Sequence, residues 1–150
     1  MTERSASHAT FVVERTYPAT PARAFAAWAD PKAKAAWFTG QAEPEYTLDF
    51  RVGGREVTRG GPPGGPVYSY EATYQDIVPD QRIVYAYVMD KDAARISASV
   101  ATVEFQPVGA GVRVRLTEQG VYLDGGDRPE IRQGGIEAQF DALGKALEKR

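Results

Sequence analysis

Apolar and polar residues alternate with a period of two through the middle of the chain, over about 75 residues from Tyr46 onward, which is the pattern of half-buried β-strands. Short turns rich in Gly, Pro and Asp interrupt this alternation. The predicted strands cover residues 46–52, 55–59, 68–78, 82–89, 95–105 and 112–122. Consecutive strands joined by short turns pair antiparallel with their neighbours, so this region predicts an antiparallel meander.

The N-terminal part of the chain predicts one strand and two short helices. Residues 10–17 are rich in β-branched and aromatic side chains and stop at a proline, which favours a strand, and residues 1–9 are expected to form a flexible tail. Thr20 and Pro21 suit the N-cap and first position of a helix. A second helix is expected from Pro31 to about Phe38. Both helices end in bulky aromatic residues, as a lid or plug would.

The C-terminal segment predicts one long amphipathic helix over residues 128–149. Ile136, Phe140, Leu143 and Leu147 fall on one stripe of it. Such a helix is roughly 33 Å long at 1.5 Å per residue, which is about the length of a ten-residue strand. The whole chain, residues 1–150, is therefore expected to form one α+β domain with the helix lying across a long antiparallel sheet.

A twisted sheet of this size curls, and a single helix about 10 Å wide leaves part of the trough unfilled. Inward-facing aromatic residues are expected to line the resulting cavity, as in small-molecule sites. They are Trp37, Phe38, Tyr70, Tyr74, Tyr85, Tyr87, Tyr122 and Phe140. The alternative is that these tyrosines simply pack in the core.

Glu118 falls on the apolar side of the last predicted strand, where an unpaired charge is costly. It is the candidate acid or base if the protein is an enzyme, because burial would raise the pKa of its carboxyl. With Arg132, it is also expected to orient the polar end of a ligand. The alternative is an ion pair between Glu118 and Arg132 or an arginine on a neighbouring strand.

The composition of the chain excludes several kinds of catalytic and metal site. The 150 residues contain no Cys, one His and a formal net charge of −2, so thiol chemistry and cysteine zinc sites are excluded, and nucleic acid is not an expected partner. The histidine, His8, lies in the predicted tail. We expect no metal and no organic cofactor. No apolar run is long enough for a membrane span, and the expected location is the cytoplasm.

The predicted strand over residues 82–89 is apolar on both faces. One face would cover the cavity, and the other would lie on the outside of the sheet. A second subunit is one candidate for covering an apolar outer face, so a homodimer is among the expected states.

The order of elements and several stretches resemble the SRPBCC (START-like, Bet v 1-like) superfamily, and within it the homologues of the activator of heat-shock protein 90 ATPase. The stretches are residues 15–38, 51–55 (RVGGR), 70–90, 100–120 and 134–147. The resemblance implies a helix-grip fold, in which a curved antiparallel sheet grips the C-terminal helix around a hydrophobic cavity. Members of this superfamily often carry Gly-Trp at the start of that helix, whereas this chain has Gly135-Ile136, which implies more room there.

We therefore expect the protein to bind a small hydrophobic or aromatic molecule in a cavity between the sheet and the C-terminal helix. Two alternatives stay open. One is a polyketide cyclase-like or hydrolase-like enzyme that uses the same cavity. The other is a regulator of a chaperone ATPase or another protein-interaction module.

Overall fold

The computed structural model of the protein describes residues 3–40 and 45–148. The strands are β1 (Ala6–Tyr17), β2 (Glu45–Leu48), β3 (Arg55–Gly60), β4 (Tyr68–Val78), β5 (Arg82–Lys91), β6 (Ala94–Val108) and β7 (Gly111–Leu123). The helices are α1 (Pro21–Ala29), α2 (Pro31–Phe38) and α3 (Pro129–Glu148). Among the described residues, no helix is both long and apolar enough to cross a membrane.

All seven strands form one antiparallel sheet in the order β1-β7-β6-β5-β4-β3-β2. Strands β2 to β7 form the predicted meander. Strand β1 lies at the edge of the sheet and pairs with β7 over its whole length. The helix α3 packs on the inner face through the predicted stripe, with Ile136, Phe140, Leu143 and Leu147 all buried. The predicted α+β helix-grip fold is confirmed.

Two strands differ from their predicted bounds. Strand β1 begins at Ala6 rather than at residue 10, so residues 6–9, predicted as part of a tail, pair with residues 120–123 of β7. Strand β2 ends at Leu48 rather than at residue 52, because the chain turns back over residues 49–54. A Cβ built at Gly54 would lie 2.1 Å from the Asp49 carbonyl oxygen, so this turn requires glycine.

Both N-terminal helices begin at a side-chain N-cap, which was predicted for Thr20 at α1 but not for Asp30 at α2. The Thr20 side chain accepts a hydrogen bond from the Arg23 amide at 3.1 Å, and Asp30 accepts one from the Ala33 amide at 2.8 Å. Because Asp30 ends α1 and caps α2, the chain bends sharply between them. This bend places the Trp28 and Trp37 rings 4.8 Å apart, edge to face.

Aromatic rings fill much of the space that the sequence assigns to a cavity. The Trp28 ring contacts those of Phe105 and Phe140 edge to face, at centroid distances of 6.3 and 6.0 Å. Phe25 packs on Phe105 at 5.5 Å. The Tyr17 hydroxyl donates a hydrogen bond to the Phe140 carbonyl at 2.7 Å, which ties β1 to α3. This half of the interior is a packed core, and the open space lies at the other end of α3.

Candidate functional site

A cleft of about 300 Å³ opens between the first half of α3, the end of α2 and strands β3 to β5. Its volume is at the lower end of the range for small-molecule sites. Apolar, hydroxyl, amide and charged residues line it: Phe38, Thr39, Thr58, Tyr70, Tyr87, Met89, Asp127, Ile131, Arg132, Gly135, Ile136 and Gln139. A second hollow of about 300 Å³ shares Thr39, Thr58, Tyr70 and Met89 with it and continues toward Pro62.

Three aromatic rings form one wall of the cleft. Phe38 packs against Tyr70 at a centroid distance of 5.3 Å, and Tyr70 packs against Tyr87 at 4.9 Å. The amide of Gln139 on α3 donates a hydrogen bond to the Phe38 carbonyl at 2.8 Å. The end of α2 is thus tied to α3, which holds the wall in place.

The opposite wall is partly bare helix backbone. A Cβ built at Gly135 would meet no other atom within 4 Å, so this glycine leaves space next to α3 that a side chain would occupy. Ile136 follows it and lines the cleft where the resemblance implies a Trp in other members. A glycine and a medium-sized side chain together keep this part of the cleft open.

Arg132 stands at the inner end of the cleft within a buried polar cluster. Its Nη1 donates to the Tyr87 hydroxyl at 2.8 Å, and its Nη2 donates to Ser97 Oγ at 2.7 Å and to Asp127 at 2.8 Å. The Tyr87 hydroxyl in turn donates to Glu118 Oε2 at 2.8 Å. The guanidinium also lies 3.7 Å from that carboxylate oxygen. The pair of Glu118 and Arg132 is therefore bridged by a phenol.

The Glu118 carboxyl is almost wholly buried, with 1% of the residue exposed. Burial raises the pKa of this carboxyl to about 7, although the hydrogen bond from Tyr87 and the charge of Arg132 both act to lower it. Its Oε1 atom has no hydrogen-bond partner among the described residues. Glu118 therefore changes its protonation near neutral pH.

A second buried cluster was not predicted from the sequence. Lys34 and Glu56, both fully buried, form an ion pair at 2.9 Å. Glu56 also accepts hydrogen bonds from the hydroxyls of Tyr46, Tyr70 and Tyr74 at 2.6, 3.2 and 3.0 Å. Burial lowers the pKa of Lys34, while Glu56 acts to raise it.

The Lys34 ammonium also lies over aromatic rings, 4.9 Å from the centroid of Trp28 and 4.3 Å from that of Phe38. Such contacts favour a desolvated cation. A sequence signal for this burial existed, because Lys34 precedes Trp37 and Phe38 by three and four residues and so shares their helix face. No sequence pattern near Lys34 indicated its partner Glu56, which lies on strand β3.

Residues 18–148 match the profile of the family described as "Activator of Hsp90 ATPase homolog 1-like protein". The chain belongs to this family. None of the curated proteins matches the chain.

Solved structures of the Activator of Hsp90 ATPase homolog 1-like fold resemble this chain closely. A putative uncharacterized protein from Rhizobium leguminosarum is 44% identical, with a TM-score of 0.94 over 99% of this chain and 100% of that one. Protein Mll3558 from Rhizobium loti is 45% identical, with a TM-score of 0.91 over 95% and 99%. Protein CV1439 from Chromobacterium violaceum, at 24% identity and a TM-score of 0.77 over 94% and 98%, shares the fold.

In this member of the family, the predicted site residues separate into three groups. Phe38, Tyr70, Tyr87 and Arg132 line the cleft. Trp37, Tyr74, Tyr85 and Phe140 are buried in the core cluster. Glu118 and Tyr122 are buried beside Arg132, whose guanidinium lies 5.3 Å from the Tyr122 ring centroid.

Several cleft residues were not predicted, among them Met89, Ile131 and Gln139. Met89 lies two residues beyond Tyr87 on the same strand face, so the period-two pattern carried a signal for it. Ile131 and Gln139 lie off the apolar stripe of α3, and Gln139 is held at the cleft by its hydrogen bond to the Phe38 carbonyl. Within residues 3–40 and 45–148, no group of three or more His, Asp or Glu side chains is placed to hold a metal ion.

Proposed function

We propose that the protein binds a small hydrophobic or aromatic molecule in the cleft between α2, α3 and the sheet. The observation that supports this most is the cleft itself, an opening of about 300 Å³ beside a core cluster rich in aromatic rings. The fold family to which the chain belongs commonly binds hydrophobic ligands. The residues that line the cleft suffice for ligand binding, and no additional catalytic group is required.

The lining of the cleft favours an amphiphilic ligand. Phe38, Met89 and Ile136 offer apolar surface for its body, which would be removed from water at a gain of about 25 cal/mol per Å². Arg132 offers N–H donors at the inner end, and a guanidinium prefers oxygen acceptors. The carboxylate of Asp127, 2.8 Å from Nη2, already balances its charge. A ligand with one acceptor oxygen on an apolar body therefore fits this site.

Two neighbouring glycines allow a matched test of the cleft. Gly134 and Gly135 both lie inside α3, and a Cβ at either meets no atom within 4 Å, but only Gly135 lines the cleft. Replacing either by leucine should leave the fold intact and add up to about 1 kcal/mol of helix propensity. Only Gly135→Leu should fill the cleft.

The measurement is the affinity of 1-anilinonaphthalene-8-sulfonate, an apolar anionic fluorophore, by titration of its emission. We expect Gly135→Leu to weaken binding at least tenfold and Gly134→Leu to leave it unchanged. Thermal unfolding of both variants checks that each is folded. Equal affinities for the two variants would show that the fluorophore binds elsewhere and would contradict the proposal.

A second candidate function is catalysis in the same place, of the cyclase or hydrolase type. The observation that favours it is Glu118, a buried carboxyl with a pKa raised to about 7 by burial and one oxygen unpartnered among the described residues. A general acid or base works best with a pKa near the working pH. Glu118→Gln should then abolish turnover of a polyketide-like substrate, whereas a protein that only binds would change its affinity alone.

The family description also names a chaperone ATPase activator, and that role would need a docking surface rather than a cleft. Stimulation of a purified Hsp90 ATPase by this chain tests it. Under the ligand-binding proposal we expect no stimulation, and equal stimulation by the wild type and Gly135→Leu would favour the docking role instead.

A further inference from the structure

The cleft is continued by the second hollow of about 300 Å³, which reaches the loop that joins β3 to β4. Thr39, Thr58, Tyr70 and Met89 line both spaces, so the cleft and the second hollow meet at these side chains. Together they form one groove that runs from α3 across α2 and the sheet to the loop. A compact molecule that fills the cleft would leave the second hollow empty.

The polarity of the lining changes along this groove. The charged side chains of Asp127 and Arg132 line the cleft, whereas none of the described residues that line the second hollow is charged. Two hydroxyls at the meeting point are already used, because Thr39 donates to a carbonyl of α2 at 3.0 Å and Tyr70 donates to Glu56 at 3.2 Å. The second hollow therefore offers mainly methyl groups, rings and a thioether, which suit an apolar segment.

The far end of the second hollow has a wall that is held in place. It is formed by the start of the loop and by Tyr68. A Cβ built at Gly61 would lie 2.1 Å from the Pro66 carbonyl oxygen, so the two ends of the loop approach closely. The Val67 amide donates to Asp92 Oδ1 at 2.9 Å, and the Asp92 amide donates to the Val67 carbonyl at 2.7 Å. These contacts fix the base of the loop beside the hollow.

Both parts of the groove are accessible from solvent. Ile131, at the rim of the cleft, is 56% exposed, and Tyr68, at the far end of the second hollow, is 37% exposed. Pro62, which lies at the same end as Tyr68, is also exposed. A ligand therefore reaches the groove from outside, and its two ends can enter the cleft and the second hollow without passing through the core.

We propose that the groove binds an elongated amphiphile, whose polar end lies beside Arg132 and whose apolar tail passes Thr58 and Met89 and ends against Tyr68. This inference rests on the proposed ligand-binding function and specifies its ligand as a linear chain rather than a compact ring system. Each CH₂ group that becomes buried raises the affinity about fourfold. A chain that enters the second hollow therefore keeps gaining affinity with length.

The test measures the affinities of hexan-1-ol, octan-1-ol and decan-1-ol by isothermal titration calorimetry. We expect the wild type to gain roughly tenfold or more with each step of two CH₂ groups. Gly135→Leu, which fills the cleft, should weaken all three alcohols at least tenfold. Tyr68→Ala should weaken decan-1-ol about fivefold, the value of about 40 Å² of apolar contact, and leave hexan-1-ol unchanged, because only the longer tail reaches it.

Val67→Ala is the matched control for Tyr68→Ala. Val67 is the preceding residue, is 41% exposed and lines neither part of the groove, so its replacement should leave all three affinities unchanged. Thermal unfolding checks that each variant is folded. The chain-length series of the wild type tests the inference independently of any variant.

Two results would overturn the elongated ligand and leave the proposed function standing. One is an affinity of the wild type that stops rising beyond hexan-1-ol, and the other is a Tyr68→Ala variant that weakens all three alcohols equally or none of them. In both cases the anilinonaphthalene fluorophore would still distinguish Gly135→Leu from Gly134→Leu. Failure of the wild type to bind the fluorophore and the alcohols would overturn the proposed function and this inference with it.

Discussion

Replacing Glu118 with glutamine should stabilise the protein at pH 8 and leave its stability at pH 4 nearly unchanged. Burial raises the pKa of the Glu118 carboxyl from 4.5 to about 7 in the folded chain, whereas the unfolded chain keeps the ordinary value. Between these pH values the folded state holds a proton that the unfolded state has released, so the free energy of unfolding falls as the pH rises. Each pKa step of one corresponds to about 1.4 kcal/mol, which makes the full loss roughly 3 kcal/mol.

Glutamine keeps a carbonyl oxygen that accepts the hydrogen bond from Tyr87, but it does not ionise. The assay is urea unfolding followed by circular dichroism at pH 4, 5.5, 7 and 8. The stability difference between Glu118→Gln and the wild type should grow from near zero at pH 4 to about 3 kcal/mol at pH 8. Glu104→Gln, at an exposed position of β6, serves as the control and should follow the wild type. Parallel curves for Glu118→Gln and the wild type would refute the reasoning.

Two further predictions concern the helices before the sheet. Lys34→Met should lower the free energy of unfolding, measured by urea unfolding, by about 3–5 kcal/mol, because Glu56 would stay buried without its cation. Adding Glu56→Gln to this variant should recover much of the lost stability. No recovery would argue against the loss of the ion pair as the cause. Asp30→Ala should lower the free energy of unfolding by about 1 kcal/mol because it removes the N-cap of α2, whereas Asp30→Ser should lower it much less. Thermal unfolding measures both variants. Equal losses of stability would mean that the cap contributes nothing.

The elements could be predicted because each has a local signature. The period-two alternation located β4 and β7, and the same period placed Glu118 on the inner face, where it is buried. The caps Thr20 and Asp30 fix the starts of α1 and α2. Strand β2 was predicted too long because residues 49–52 continue the alternation of polarity, although the backbone has already begun the turn that Gly53 completes with φ of +84°.

The site could be predicted only in part, because it depends on contacts between distant elements. Phe38 and Tyr70 were predicted to line a cavity and Arg132 to orient the polar end of a ligand, and all three lie at the cleft. The burial of Phe140 followed from its helix stripe, but its placement in solid core depends on how the Trp28 ring packs against it. The pairing of Lys34 with Glu56 joins α2 to β3, and no pattern within either element specifies that contact.

The pairing of the first strand with the last has a consequence for synthesis of the chain. Strand β1 (Ala6–Tyr17) is synthesised before the other described strands, yet its partner in the described sheet is the last of them, β7 (Gly111–Leu123). Until β7 has been translated, β1 has no neighbour with which to form its backbone hydrogen bonds, and unpaired strands of this kind are prone to aggregation. Nascent chains that end before β7 should therefore need a chaperone to protect the unpaired β1 from aggregation, and the released protein should no longer need it.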